Sequence, residues 1–137
     1  MKEQPEYILQ KAVAKYLSLQ YPNAFFLSDT VAAVKLTMQQ AVRNKAIQKA
    51  GFKCPDILIL EPYKKDGEII YGGLFIELKT ESPYLKKDPT VLKASPHIEA
   101  QMETIKKLKK KGYYAVMLWH YDEITALIDA YLKGALK

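Results

Sequence analysis

Three charged residues stand out by type and placing: Asp56 directly after Pro55, and Glu77 and Lys79 separated by a single residue. In a strand the side-chain period of two sends Glu77 and Lys79 to one face. Asp56 opens the β-rich run Ile57-Leu58-Ile59-Leu60, and Lys65-Asp66-Gly67 is a turn signal ahead of a second run from Glu68 to Lys79. Read as a β-hairpin of residues 56–61 and 68–79, the start of one strand lies beside the end of its partner, which brings Asp56 to Glu77. Two carboxylates offer the hard oxygen ligands that Mg²⁺ prefers. A lysine beside them can orient or help deprotonate a water, or stabilise charge on a pentavalent phosphorus, and the residue type leaves these roles open. That is equipment for hydrolysing a phosphodiester. Singly, each residue has an ordinary reading, since Pro-Asp is common in turns and Glu-x-Lys on exposed strand faces. Glu77 and Lys79, however, are embedded among Leu74, Phe75, Ile76 and Leu78. That run reads as a strand buried on both faces, where charges are costly unless they are paired or bind a metal.

The elements that must position these residues follow from periodicity. Ile8, Leu9, Ala12, Val13, Tyr16 and Leu17 recur at helical spacing over residues 5–20, with Pro5 suited to the first turn. Residues 24–27 read as a short strand, residues 28–38 show no clean period, and residues 39–50 read as a helix stopped at Gly51. After Pro83 a polar stretch through Pro89 and Pro96 reads as a mobile loop. Ile98, Gln101, Ile105 and Leu108 then mark one face of a helix closed by Gly112, and Gln101 on that face needs a partner once buried. Residues 113–119 read as a buried strand, and Ile124, Leu127, Ile128, Tyr131 and Leu132 as a last helix. The alternation predicts an α/β fold, a mixed central β-sheet flanked by helices, in a single domain spanning residues 1–137.

Composition narrows the chemistry. With 137 residues and 49% hydrophobic content the chain suits one core. Its apolar runs are too short to span a membrane and its first residues do not read as a secretory signal, so a cytoplasmic location is expected. The single cysteine, Cys54, and two histidines cannot furnish a structural zinc site, which leaves oxygen ligands for any catalytic metal. The net charge of +6 suits a polyanionic partner. Eight lysines between Lys86 and Lys111 face Asp88, Glu99 and Glu103, although a lysine run is often just a solvated helix face. Lys86, Lys87, Lys93 and the cluster near Lys106, with Tyr84, are candidates for gripping a DNA backbone. Tyr63, Tyr71, Tyr113 and Tyr114 suit packing better than base stacking. Cys54 reads as a small buried residue with no activating partner, and His97 and His120 as surface residues.

Pro55-Asp56 followed by Phe75-Ile76-Glu77-Leu78-Lys79 resembles the PD-(D/E)xK nuclease superfamily. With Gly51 before Cys54-Pro55-Asp56, Gln101 on the next helix, and the ending of Gly112, strand, Asp122 and helix, the chain resembles the short stand-alone form of its VRR-NUC branch. The resemblance covers roughly residues 6–132 and implies a restriction-endonuclease-like core. It also implies a Mg²⁺- or Mn²⁺-dependent endonuclease with Asp56, Glu77 and the Leu78 backbone carbonyl on the metal and Lys79 assisting the water. Glu6, one turn from Gln10 on the first helix, matches the helix-borne acid, with Glu3 as the competing assignment. Gln101 matches a glutamine that contacts the lysine or the substrate phosphate. The same resemblance implies branched DNA, flaps or four-way (Holliday) junctions, as substrate, a homodimer, and a phage or mobile-element setting. The alternative is a non-catalytic nucleic-acid-binding module of the same fold.

Overall fold

The helical spacing at the head of the chain is realised as α1, Pro5–Gln20, whose face of Gln10, Val13 and Leu17 is buried. The computed structural model describes residues 4–29 and 35–137, so Glu3 lies outside the described residues. Beyond α1 come β1 (Phe26–Ser28), α2 (Met38–Ile47), β2 (Ile57–Ile59), β3 (Tyr63–Lys65), β4 (Glu68–Tyr71), β5 (Leu74–Leu78), α3 (Pro96–Lys110), β6 (Tyr114–Leu118) and α4 (Tyr121–Leu132). The second helix starts at a Thr37–Gln40 capping box and ends at Gln48, before the Gly51 expected to stop it.

Strands β1, β2, β5 and β6 form the main sheet in that order. The first two pairings are antiparallel and β5–β6 is parallel, which makes the sheet mixed. Alternation along β2 and β5 divides the core in two. Ile57, Ile59, Leu74, Ile76 and Leu78 meet Val13 and Leu17 of α1 and Ile124, Ile128 and Tyr131 of α4. Phe75 on the opposite face joins Ala115, Met117, Ile105 and Leu108 of the α3 side. The result is three layers with β5 buried along its whole length. Tyr16 and Tyr21 fasten α1 to α4 by donating hydroxyl hydrogen bonds to Asp129 Oδ1 at 2.5 and 2.6 Å. Among the described residues no helix is long and apolar enough to cross a membrane.

Two expectations change. The run from Glu68 to Lys79 is not one hairpin strand, because it breaks at Gly72-Gly73. A Cβ at Gly73 would stand 3.0 Å from the Ile59 carbonyl oxygen, so any larger residue would have to push the strands apart by a few tenths of an ångström there. The Asp66-Gly67 turn, with φ of 53° and 81°, belongs instead to a separate two-stranded ribbon, β3–β4. The stretch after Pro83, read as a mobile loop, is a tied finger. Tyr84 bridges Leu92, Leu85 N–H donates to the Val91 carbonyl at 2.8 Å and Lys93 N–H to that of Pro83 at 2.8 Å. Asp88 Oδ1 accepts from the N–H and hydroxyl of Thr90 at its tip.

Candidate active site

The pairing Ile57↔Ile76 puts Asp56 opposite Glu77 when extended by one residue. Directly opposed residues share a face, and period two adds Lys79 to it, so all three belong to the α3 side of the sheet. The Leu78 N–H donates to Asp56 Oδ2 at 2.8 Å, locking the aspartate across the end of β5. The Lys79 N–H donates to the Leu118 carbonyl at 2.9 Å and holds that end of β5 on β6. Gln101, buried on α3, donates from Nε2 to Glu77 Oε1 at 2.5 Å. The partner expected for Gln101 was the lysine or the substrate; within the protein it is Glu77, because both lie on the same layer facing each other. Gln101 Oε1 is buried without a hydrogen-bond partner, an acceptor left over at the site.

The electrostatics are those of two acids brought together under cover. Burial first, then the charge of Asp56, pushes the Glu77 carboxyl up to about 9, against the favourable pull of Lys79. Burial also raises Asp56 above the usual carboxylate range, although the Leu78 N–H and a hydrogen bond with Glu77 oppose it. A single proton between the two carboxyls relieves their repulsion. The residues fit a divalent cation for the same reason: one oxygen of each acid is fixed by Leu78 N–H or Gln101, and the two neighbouring carboxyls, each raised by burial, make a place that favours positive charge. Cys54, half-buried beside them, has its thiol pushed up to about 11 by burial and by Asp29, Glu77 and Asp56, which suits an inert residue.

Glu6 is exposed on the first turn of α1, and its charge is felt by both Asp56 and Glu77. Among the described residues no three His, Cys, Asp or Glu side chains cluster as a metal site, so the acidic centre is a pair with Glu6 at its margin. Lys86 and Lys87 are exposed on the finger, and Lys93 Nζ lies 3.3 Å from Glu81 Oε1. Lys106 is exposed on α3, more than one helical turn beyond Gln101. Tyr63, Tyr71 and Tyr114 are packed ring against ring and Tyr113 stacks on Phe75, in line with a packing role.

Two contributors were not assigned from sequence. Gln10 Nε2 donates to the backbone carbonyls of both Asp29 and Asp56, at 3.0 and 3.1 Å. Asp29 N–H donates to the Asp56 carbonyl at 2.9 Å, and its charge raises the Asp56 carboxyl. Gln10 left a readable signal, a polar residue in phase with Val13 and Leu17 on the core face of α1. Asp29 left none, because its N–H bond to the Asp56 carbonyl is made by backbone and its nearness to the Asp56 carboxyl spans 27 residues of sequence.

One solved structure, described as a VRR_NUC domain protein, matches the chain with a TM-score of 0.62 at 25% identity, over 97% of this chain and 92% of that one. No family model matches the sequence, and no curated protein matches it.

Proposed function

We propose that the chain is a nuclease-type domain of the VRR-NUC kind, a reading supported by its likeness in fold to a VRR_NUC domain protein and by its Asp56, Glu77-x-Lys79 motif, and that it is a metal-dependent endonuclease acting on DNA phosphodiesters. The supporting observation is the convergence of Asp56 and Glu77 at one end of the buried strand, locked by Leu78 N–H and Gln101. Asp56, Glu77 and the Leu78 carbonyl are the proposed ligands of Mg²⁺ or Mn²⁺, with Glu6 at the edge of its water shell. Bound there, the cation supplies neutralisation of phosphate charge and acidification of water.

The chain's own groups do the rest. Lys79, on the same face as Glu77, holds the attacking water or the developing phosphate charge. Gln101 fixes the rotamer of Glu77, and its unpartnered Oε1 is free to accept from an ordered water. The site lies at the carboxyl end of the parallel β5–β6 pair, where α/β sheets open a crevice, and the amino-terminal half of α3 reaches it through Gln101. Branched DNA, flaps or four-way junctions, is the proposed substrate, and a homodimer the proposed assembly. The deciding experiment is cleavage of labelled single-stranded, duplex, flap and junction DNA with Mg²⁺, Mn²⁺ or EDTA. Metal-dependent cutting by the wild type, absent in Asp56→Ala and Lys79→Ala, is expected. Full activity in either variant sinks the assignment, and binding without cutting by the wild type favours the non-catalytic module.

A further inference from the structure

The backbone leaves the sheet at Asp29 and returns to it at Asp56, and the two points are tied to each other. Asp29 N–H donates to the Asp56 carbonyl, and Gln10 bridges both carbonyls. Residues 35–55, between these two points, are therefore an excursion whose neck is the proposed catalytic aspartate. Its returning leg leans on α3, where Lys53 N–H donates to Thr104 Oγ1 at 3.4 Å, one turn from Gln101.

The helix in this excursion, α2, buries none of its residues. A ten-residue helix without a buried face adds nothing to the core and is marginal by itself in water, so what it presents outward is its contribution. Beside the exposed Met38, Val42 and Ile47 it presents Arg43 and Lys45, and the charge of the whole segment around it has one sign. Residues 35–55 hold Lys35, Arg43, Lys45, Lys49 and Lys53 and no Asp or Glu, +5 in a chain of net charge +6. Arg43 is the chain's sole arginine, the side chain that grips a phosphate in two places. The equal excess over residues 86–111 is different in kind. It is interleaved with Asp88, Glu99 and Glu103, and Lys107, Lys109 and Lys110 occupy the last turn of α3, where they complement the helix dipole. That end of α3 adjoins Gly112, whose carbonyl accepts from Gly72 N–H at the opposite end of β5 from Glu77.

We infer that residues 35–55 form a cationic arm that holds the DNA backbone next to the scissile phosphate, rooted at Asp56 so that strand capture and active-site geometry share one support. The inference rests on the nuclease reading and extends it to the surface that binds substrate. Charge commits the partner to a polyanionic backbone. The exposed Met38 and Val42 would otherwise suit a second copy of the chain, and the test separates the two.

The test is binding of fluorescein-labelled duplex and four-way-junction DNA by anisotropy in EDTA over a salt series. It compares the wild type, Arg43→Gln/Lys45→Gln/Lys49→Gln, and the charge-matched Lys107→Gln/Lys109→Gln/Lys110→Gln. Glutamine keeps helix propensity and none of these side chains is buried, so both triple variants should fold, as circular dichroism can verify. The arm variant should weaken binding by about tenfold or more and lower the slope of log K against log salt by about 3, and the α3 variant should change affinity less than about threefold. Equal effects of the two variants, or none from the arm, overturn the inference. A loss of affinity that tracks loss of a dimer mass in light scattering assigns α2 to a second copy and overturns it too. If the wild type cuts no DNA with Mg²⁺ or Mn²⁺ yet the arm variant alone loses binding, the nuclease reading falls and the arm stands. If the wild type cuts and the arm variant binds normally, the arm alone falls.

Discussion

Glu77→Gln should stabilise the metal-free protein, and by an amount set by pH. The wild-type carboxyl lies near 4.5 when unfolded and is pushed up to about 9 in the fold, chiefly by burial and by Asp56. A group raised in this direction lends its full stability below the unfolded value and loses it progressively as pH climbs toward the folded one. At pH 7 the lost contribution is about 3 kcal/mol. Glutamine resembles the protonated acid: its carbonyl can still accept from Gln101, and its NH₂ can donate to Asp56. Thermal unfolding in EDTA should therefore put the variant roughly 5 to 10 °C above the wild type at pH 7 and within about 2 °C of it at pH 5. Excess Mg²⁺ should raise the wild type and leave the variant nearly unmoved, because only the ionised acid gains from the cation. A variant less stable than the wild type at pH 7, or a gap of the same size at both pH values, would refute the account of two acids held together under burial.

Three further outcomes follow from contacts around the site. Gln101→Leu removes the donor that orients Glu77, so the Mg²⁺ concentration for half-maximal cleavage should rise about 10- to 100-fold; an unchanged metal titration would deny it that role. Gln10→Ala frees two backbone carbonyls at the neck of the arm and should cost about 1 to 3 kcal/mol in urea unfolding, against none if water replaces the amide without loss. Although partial burial works to raise it, the Asp129 carboxyl is held below the usual carboxylate range by the Tyr16 and Tyr21 hydroxyls. Its contribution is thus present at neutral pH and lost as pH falls through the acid range. Asp129→Asn should lower the melting temperature at pH 7 and converge with the wild type in strong acid, and a pH-independent difference would refute the clamp.

The convergence of the proposed trio Asp56, Glu77 and Lys79 was legible because it depends on two short-range rules, the period of two within β5 and the juxtaposition of strand start with strand end. Those rules held although the intervening chain was misread. The Asp66-Gly67 turn closes β3 on β4, and the second run splits at Gly72-Gly73 between β4 and β5. The glycine pair is a local break signal, but the close approach of Gly73 to the Ile59 carbonyl is a contact across strands that sequence does not display. Gln101 was legible as a polar residue on an apolar face, but its partner was not, since choosing Glu77 over Lys79 requires the α3 register. The finger of Tyr84–Lys93 read as loose because its proline and lysines are surface-like, and the ties that close its two legs are backbone hydrogen bonds to which side-chain type is indifferent, side chains entering only at the Asp88–Thr90 tip. Asp29 was invisible because its tie to Asp56 is likewise a backbone hydrogen bond, made across 27 residues of sequence. The exposure of α2 could not be read either, because Met38, Val42 and Ile47 look like core residues until the layers are in place.

The β3–β4 ribbon has a consequence for how such a domain can grow. It joins β2 to β5 at the end of the sheet away from Asp56 and Glu77, so its base is separated from the two acids by the length of β5, roughly 17 Å. Tyr63 and Tyr71 pin its base through Tyr131 and Tyr114, while Asp66 and Gly67 at the tip are exposed and carry no load. A whole protein module spliced between Asp66 and Gly67 should leave DNA cleavage within about twofold of the parent, which an insertion assay can read directly. The ribbon is in that sense a port: new modules can be plugged in there without re-solving the geometry of the acids.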